Sequence, residues 1–342
     1  MEKEPIERSR QKKLGNSRSV SEFLLSVRRD VMKVGTMKRI FLCLVLALAA
    51  RSACAFEDAR QNAAVDLMRR CEAVLWEEKL RRVPDFDVRL DPDRTGLVGE
   101  EFTALATTPG SWHDKRAAAQ PEMAGALAGY LIRAGVREGD WIGINATSSY
   151  PGFTMAALCA ARTLKLNTVF VLSYGASMYG GTLPQFTVPV MLDALRERGV
   201  MDVKIDALTP GGMDDRMRRN ILDEDVLPLV RRLMSERRET CMIPADLRMS
   251  MAFRQMLFAA KPITAFISCG GSWLSLGRSM EEGAVLPHGL IMPPWPVKPK
   301  TWDRGLIMDF LEKGVPCIHL LFTKGVCRDW DLPHGTGPEP NF

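Results

Sequence analysis

Short apolar runs alternate with amphipathic stretches along most of the chain, and this alternation predicts strands and helices in turn. The runs short enough for buried strands cover residues 141–146, 168–172, 203–208, 263–268 and 316–321. Helical spacing predicts helices near residues 152–164, 189–198, 214–238, 247–260, 273–282 and 304–313. Such alternation favours an α/β fold with a mostly parallel sheet and helices on both faces.

A longer amphipathic stretch precedes the α/β pattern. Its apolar positions recur at helical spacing and are Ala64, Leu67, Met68, Cys71, Val74 and Leu75. A polar connector with two prolines follows it and ends near Thr95. We therefore predict an N-terminal helical arm with its connector over residues 56–95 and a single α/β domain over residues 96–342.

Residues 37–55 have the pattern of a secretory signal peptide. Lys38 and Arg39 precede an unbroken apolar run from Ile40 to Ala50, and Ala53-Cys54-Ala55 supplies the small residues that a signal peptidase requires. We interpret the segment either as a cleaved signal peptide or as a membrane anchor, which would be a transmembrane helix. Both alternatives predict that the rest of the protein lies outside the cytoplasm, in the cell envelope.

Residues 1–36 form a basic leader in front of this signal. Two interpretations stay open: Met37 is the true start and the leader is not translated, or the leader is a cytoplasmic arm. The formal net charge of the chain is +5, and this excess lies in the leader and the signal segment. Because the remaining residues are slightly acidic, bulk charge gives no reason to expect a nucleic-acid partner.

Small hydroxyl residues and glycines follow four of the predicted strands. In open α/β sheets, ligands bind outside the carboxyl ends of the strands. Glycine lets the backbone approach a ligand, and the helix that follows offers free N–H groups to an anion. The candidate ligand-binding residues at these ends are Ser148, Ser149, Ser173, Gly175, Ser177, Gly270, Gly271 and Ser272. They suit a carboxylate or phosphate, although each loop alone is also compatible with an ordinary strand-to-helix turn.

A second candidate segment combines hydroxyls, a glycine and two adjacent cations. Thr107 and Thr108 precede Gly110, and Lys115 and Arg116 follow it. Cations beside hydroxyl groups suit a carboxylate or phosphate ligand. The alternative is a helix N-terminus followed by solvated surface charges.

Several kinds of chemistry lack their usual sequence patterns. The chain contains neither GxGxxG nor a P-loop, so we expect no dinucleotide or other cofactor. Its four histidines are scattered and no CxxC pair is present, so we expect no metal site. It has no Gly-x-Ser-x-Gly motif, and spacing alone identifies no catalytic residue.

Several motifs occur in an order known from one protein family. They are Gly99-Glu100-Glu101-Phe102-Thr103, Thr107-Thr108-Pro109-Gly110, Lys115-Arg116, the loop from Ser173 to Gly180, Pro184-Gln185-Phe186-Thr187 and Gly270-Gly271. In these residues the chain resembles the poly-gamma-glutamate system protein family, from about Leu97 to the C-terminus, and the N-terminal apolar segment is also typical of that family. The resemblance implies a role in making, exporting or processing poly-γ-glutamate in the bacterial envelope, and it brings no catalytic residues. The chain departs from the family pattern at Trp273, a bulky residue after the glycines.

Three functions are compatible with these observations. The first is a cell-envelope accessory protein of poly-γ-glutamate (capsule) biosynthesis or export that binds the anionic polymer or membrane-bound synthase components. The second is a γ-glutamyl hydrolase or transferase, with Ser148, Ser173 or Cys269 as candidate nucleophiles. The third is a structural assembly scaffold that does not contact the polymer.

Overall fold

The computed structural model describes residues 36–212, 214–278, 286–296 and 304–335, with side chains from Ala59 onward. The chain divides into two units, residues 1–56 and 57–342. The first unit is described only by the backbone of the helix that begins at Thr36, so the basic leader predicted over residues 1–36 lies almost entirely outside the described residues.

A six-stranded sheet forms the centre of the second unit. Its strands are β2 (Trp141–Thr147), β3 (Asn167–Ser173), β5 (Ala207–Thr209), β6 (Ile263–Cys269), β7 (Gly289–Ile291) and β8 (Cys317–Leu320), and they lie in the order β5-β3-β2-β6-β8-β7. Neighbouring strands are parallel except β7, which runs antiparallel to β8. The predicted α/β fold with a mostly parallel sheet is confirmed. Two further short strands, β1 (Ala106–Thr108) and β4 (Ala176–Ser177), form a separate parallel pair.

Helices cover the sheet. The described helices are α1 (Thr36–Arg82), α2 (Trp112–Ala118), α3 (Glu122–Arg133), α4 (Pro151–Thr163), α5 (Val188–Glu197), α6 (Leu227–Ser235), α7 (Leu247–Ala259), α8 (Trp273–Leu276), α9 (Leu306–Glu312) and α10 (Thr323–Asp329). Phe170 and Leu172 of β3 belong to one apolar cluster, whereas Val169 and Val171 belong to another. Because alternate strand residues point to opposite faces, these clusters are the two cores of the sheet. Helices α1, α3, α4 and α5 contribute to the first core, and α7 and α9 contribute to the second.

The apolar face predicted for the N-terminal amphipathic stretch is buried in the first core. Ala64, Met68, Cys71 and Leu75 are fully buried, and Leu67 nearly so. Since this part of α1 packs on the same core as the sheet helices, it contributes to the stability of the α/β unit.

The expected transmembrane helix over residues 37–55 is wrong. Among the described residues, no helix combines the length and the apolar character that crossing a membrane requires. Export to the cell envelope is a separate inference and stays a prediction.

Three predicted elements are shorter than expected. The helix predicted over residues 273–282 ends at Leu276, where Gly277 follows with a φ of 93°. The helix predicted over residues 214–238 is confined to α6, because Asp215, Met217 and Asp223 adopt left-handed φ angles of 60°, 38° and 63°. Such angles interrupt a right-handed helix. Of the strand predicted over residues 203–208, only residues 207 and 208 belong to the observed strand β5. The strands β1, β4 and β7 and the helices α3 and α10 are additional to the prediction. Helix α2, capped by Ser111, is the helix N-terminus that the sequence offered as the alternative for residues 107–116, although its Lys115 is buried and not solvated.

Glu72 on α1 is a buried carboxyl group, and its replacement by Gln should stabilise the protein at neutral pH. Burial, reinforced by the nearby charge of Asp91, raises the pKa of Glu72 from 4.5 to about 9. Between these values the unfolded chain releases a proton that the folded protein keeps, so stability falls as pH rises. Glu72→Gln removes this penalty, which at about pH 7 is on the order of 3 kcal/mol, and urea unfolding across pH would measure it.

The gap between this variant and the wild type should close as the pH falls below 4.5, where both states hold the proton. Glu77→Gln, on the same helix but with a side chain that is 64% exposed, is the matched control and should change stability by less than about 0.5 kcal/mol. A stabilisation by Glu72→Gln that does not depend on pH would contradict the assignment of its effect to the buried charge.

Candidate functional site

The strand order defines a switch point between β2 and β6. These strands are hydrogen-bonded neighbours, although the chain passes through β3 and β5 between them. The strands that follow β2 along the chain, β3 and β5, are therefore added on one side of the switch point, and those that follow β6 are added on the other side. Ligands of open α/β sheets bind at the carboxyl edge of such a switch point. The predicted residues Ser148 and Ser149 follow β2 there, and Gly270, Gly271 and Ser272 follow β6.

The loops after β2 and β6 touch at Gly270. This residue has a φ of +87°, and a Cβ added to it would lie 2.5 Å from Thr147 Oγ1 and 3.5 Å from Ser149 Cβ. Both the backbone conformation and the close approach therefore require glycine. Gly271 packs against Leu321, and Ser272 Oγ accepts the N–H of Ser275 at 3.2 Å as the N-cap of α8. Ser272 thus has a structural role as a helix cap.

The small parallel sheet brings the two separately predicted segments together. Thr108 of β1 lies opposite Ser177 of β4, and Thr107 Oγ1 donates to the carbonyl of Ala176 at 3.0 Å. A Cβ added to Gly110 would lie 2.7 Å from the carbonyl oxygen of Met178. Residues 107–116 and the Ser173–Gly181 loop therefore form one packed structure.

Lys115 reaches into this structure and bonds Ser177. Its Nζ donates to Ser177 Oγ at 2.7 Å and lies 3.5 Å from the centre of the Tyr150 ring. Ser149 Oγ accepts the backbone N–H of Ser177 at 3.0 Å. The Lys115 side chain is almost entirely buried, and this burial lowers its pKa from 10.5 to about 7, against a smaller opposing effect of Asp114.

Arg116 does not join Lys115. Its Nη2 lies 2.8 Å from Asp93 Oδ2, and its guanidinium lies over the ring of Trp112 at 4.5 Å. Successive residues of a helix point in different directions. The two adjacent cations therefore contact different parts of the structure and do not form one binding pair.

Ser173 belongs to a buried ionic network centred on Arg254 of α7. The guanidinium donates to Asp215 at 2.8 Å, Ser250 at 2.5 Å, Thr209 at 2.8 Å, Ser173 at 3.1 Å and Asn145 at 2.9 Å. Asp215 Oδ1 also accepts from Thr209 and from the N–H of Gly211. All five N–H groups of Arg254 have acceptors, and both charged side chains are at most 1% exposed. We interpret the network as structural, because it is internally satisfied.

Sequence reasoning missed this network, although one signal was present. Arg254 lies on the same face of α7 as the buried residues Leu247, Met251 and Phe258. An arginine within an apolar helical face must find a buried acid, and here the acid is Asp215. The predicted ligand-binding residue Gly175 has a packing role, because a Cβ there would lie 2.5 Å from the backbone nitrogen of Gly212.

The three candidate nucleophiles proposed from the sequence are held in structural contacts or buried, and the carboxylate beside Ser173, Asp215 Oδ1 at 3.4 Å, belongs to the ion pair with Arg254. Ser148 Oγ donates to the carbonyl of Ser173 at 2.8 Å, and Ser173 Oγ lies in the network of Arg254. Burial raises the pKa of the Cys269 thiol to about 12, so it stays neutral and weakly nucleophilic.

A cleft of about 440 Å³ opens among the residues that follow β5 and β6, which we call the arginine cleft. It is lined by Asp214, Arg216, Asp246, Leu247, Arg248, Trp273 and Arg278. Arg216 Nε bonds Asp214 at 2.7 Å, and Asp246 accepts the N–H of Met249 at 2.8 Å as the cap of α7. Arg248 and Arg278 are exposed, and the guanidinium of Arg278 lies 5.8 Å from the ring centre of Trp273. Trp273, where the sequence departs from the family pattern, is thus a wall of this cleft.

Across the described part of the chain, no cluster of His, Cys, Asp and Glu is arranged to hold a metal ion.

No protein-family model matches the chain, and no curated protein or solved structure is similar enough to match it. The fold defines an α/β protein, and the arginine cleft lies among residues that follow β5 and β6 of its sheet. The resemblance to the poly-gamma-glutamate system protein family stays a prediction.

Proposed function

We propose that the protein is a cell-envelope accessory protein of poly-γ-glutamate biosynthesis or export and that it binds the anionic polymer at the arginine cleft. The observation that supports this proposal most directly is the lining of the cleft, which carries three arginines and two aspartates. Both aspartates are engaged locally, Asp214 with Arg216 and Asp246 with the first turn of α7. Guanidinium groups suit carboxylates, since they bind them through paired hydrogen bonds.

The position of the cleft adds to this support. Its residues follow the carboxyl ends of β5 and β6, where open α/β sheets bind ligands. A second cleft, of about 510 Å³, includes the residues that precede β5 and lies toward its amino end. Its charged lining is balanced, with Arg196, Lys204 and Arg238 against Asp202, Asp206 and Glu239. It therefore offers a polyanion no excess of positive charge.

The packing of the motifs that carry the family resemblance is a separate argument. Gly99 lies against Gly180 so closely that an added Cβ would meet its carbonyl oxygen, and Gly110 contacts Ser177 and Met178 in the same manner. The N–H of Gly99 also donates to the carbonyl of Tyr179 at 2.8 Å. Motifs that are distant in sequence thus depend on one another in space, which favours a shared origin for the set over a chance match of single turns.

Replacing Arg248 and Arg278 together with Gln should weaken binding of poly-γ-glutamate about threefold to tenfold. Exposed ion pairs contribute up to about 1 kcal/mol each, and about 1.4 kcal/mol corresponds to a factor of ten. Affinity would be measured on the full chain by co-elution with the polymer and by titration calorimetry, at about 50 mM and about 200 mM NaCl. The salt dependence of binding should also decrease, because fewer screened charge pairs remain.

Arg231→Gln with Arg232→Gln is the matched control. Both arginines are exposed on α6, neither lines the arginine cleft, and the change in net charge is the same. The proposal is contradicted if both double variants lose affinity equally or if neither does. Separate elution of wild-type protein and polymer would favour a protein partner, such as synthase components or a scaffolded complex.

A further inference from the structure

Among the described residues, three of the four buried cations have a buried acidic partner and the fourth does not. Lys79, Arg254 and Arg304 each have a buried acidic partner, and the closest N–O distances are 3.5 Å to Asp91, 2.8 Å to Asp215 and 2.7 Å to Asp309. Lys115 is the fourth buried cation of the described residues, and none of their carboxylates lies within 4.0 Å of its Nζ. Its sequence neighbour Asp114 instead bonds His334 at 2.8 Å.

A lysine buried without an acid is costly to keep charged. Its Nζ lies 2.7 Å from Ser177 Oγ and 3.5 Å from the centre of the Tyr150 ring. Desolvation brings the Lys115 pKa to about 7, so roughly half of the molecules carry a neutral amine at neutral pH. A neutral amine at this distance can accept the proton of a serine hydroxyl, which is the geometry of an activated nucleophile.

Ser177 is held in place just beneath the protein surface, with 8% of the residue exposed. Its N–H bonds Ser149 Oγ, and β4 fixes its backbone against β1. Gly110 leaves the hydroxyl free of a neighbouring side chain, since a Cβ there would lie 3.1 Å from Ser177 Oγ. Thr108 and Gly110 are half-buried and Pro109 is exposed, so the turn they form is the side from which a ligand reaches Ser177.

We infer that Ser177 and Lys115 form a nucleophile and general-base pair and that amide or ester carbonyl donors acylate Ser177 Oγ. As Ser177 Oγ attacks the carbonyl carbon, its proton passes to Lys115 Nζ and a tetrahedral adduct forms. Collapse of the adduct breaks the C–N or C–O bond, and Lys115 returns the proton to the departing amine or alcohol. Water, or a second amine, then attacks the serine ester with Lys115 again as the base, which releases the acyl group and regenerates Ser177.

The physiological donor follows from the proposed function and rests on it. If the protein binds poly-γ-glutamate, the γ-glutamyl amide bond is the natural acyl donor, and water or an amine acceptor decides between cleavage and transfer. The acylation itself does not depend on that polymer and can be tested with a small activated ester.

The full chain would be incubated with p-nitrophenyl acetate, and acetylation would be followed by p-nitrophenolate release, intact mass and peptide mapping. We expect one acetyl group on Ser177, and a rate that rises with pH and levels off above about pH 7, where Lys115 has lost its proton. Ser177→Ala should lower the rate at least about 100-fold. Ser235→Ala, at a surface hydroxyl on α6 that donates to the carbonyl of Arg232, should leave it unchanged.

Lys115→Arg distinguishes a general-base role of Lys115 from a purely structural one, because arginine can still donate to Ser177 but does not deprotonate. We expect this variant to fold, to lose acetylation and to show no rise in rate near pH 7. A wild-type rate in Lys115→Arg, or acetylation of the wild type no faster than that of Ser177→Ala, would overturn the inference. The two proposals fail separately, because p-nitrophenyl acetate is not the polymer: acetylation of Ser177 in a protein that does not bind poly-γ-glutamate would contradict the proposed function alone.

Discussion

Replacing Arg254 with Met is expected to lower the free energy of unfolding by about 3–5 kcal/mol. The substitution keeps a long apolar stem but leaves the buried carboxylate of Asp215 without its cation, and it removes the donors to Ser173, Thr209 and Asn145. An uncompensated buried charge is the larger of these effects, since Asp215 is only 1% exposed. Urea unfolding followed by tryptophan fluorescence would measure the loss.

A second substitution tests whether the lost ion pair is the cause. Asp215→Asn in the Arg254→Met background removes the charge that the first change left behind. The double variant should therefore be less destabilised than the sum of the two single variants, with a coupling free energy of about 1–3 kcal/mol. Additive effects would show that the network is a set of independent hydrogen bonds and would contradict the central role of the ion pair.

Lys115→Met is expected to act in the opposite direction and to stabilise the protein. The unfolded lysine binds its proton up to pH 10.5, whereas the folded one releases it near 7. The difference corresponds to a penalty on the order of 5 kcal/mol at or below neutral pH. Loss of the hydrogen bond to Ser177 offsets about 1 kcal/mol of the gain.

The pH dependence identifies this effect. Between about pH 7 and 10.5 the unfolded chain binds more protons than the folded one, so wild-type stability rises with pH relative to the methionine variant. The advantage of Lys115→Met should therefore shrink steadily across this window when unfolding is measured at several pH values. Lys324→Met, at an exposed position on α10, should show no such trend. A constant difference between wild type and Lys115→Met would refute the assignment of the penalty to a buried charge.

The sheet could be predicted because its signals are local. The apolar runs of β2, β3 and β6 are bounded by glycine or hydroxyl residues, and the amphipathic α1 and α7 have regular periods. The strand order that places β6 beside β2 is set by contacts between distant segments, and periodicity within one segment does not report such contacts. Hence the loops after β2 and β6 were recognised as candidates, but their meeting at Gly270 was not.

The sequence named Lys115 and Ser177 as candidates without pairing them, and it named none of the arginines that line the arginine cleft. Lys115 and Ser177 are 62 residues apart, and no pattern in either segment indicates that one bonds the other. The sequence offered Lys115 and Arg116 as one binding pair or as solvated surface charges, and neither interpretation describes Lys115. The sequence also predicted a solvated helix over Asp215, whereas its left-handed backbone turns the carboxylate into the interior.

The small β1–β4 sheet has a consequence for the order in which the chain matures. Thr107 bonds Ala176, a residue 69 positions later, so β1 has no partner until the β2–α4–β3 unit has been synthesised. At about 5–20 residues per second, the ribosome takes roughly 3–14 s to cover that interval. Closing so long a loop is favourable only once the intervening unit is ordered. We therefore expect Lys115 to remain hydrated and fully protonated on the nascent chain and to acquire its lowered pKa only after β4 has been synthesised and folding buries the side chain.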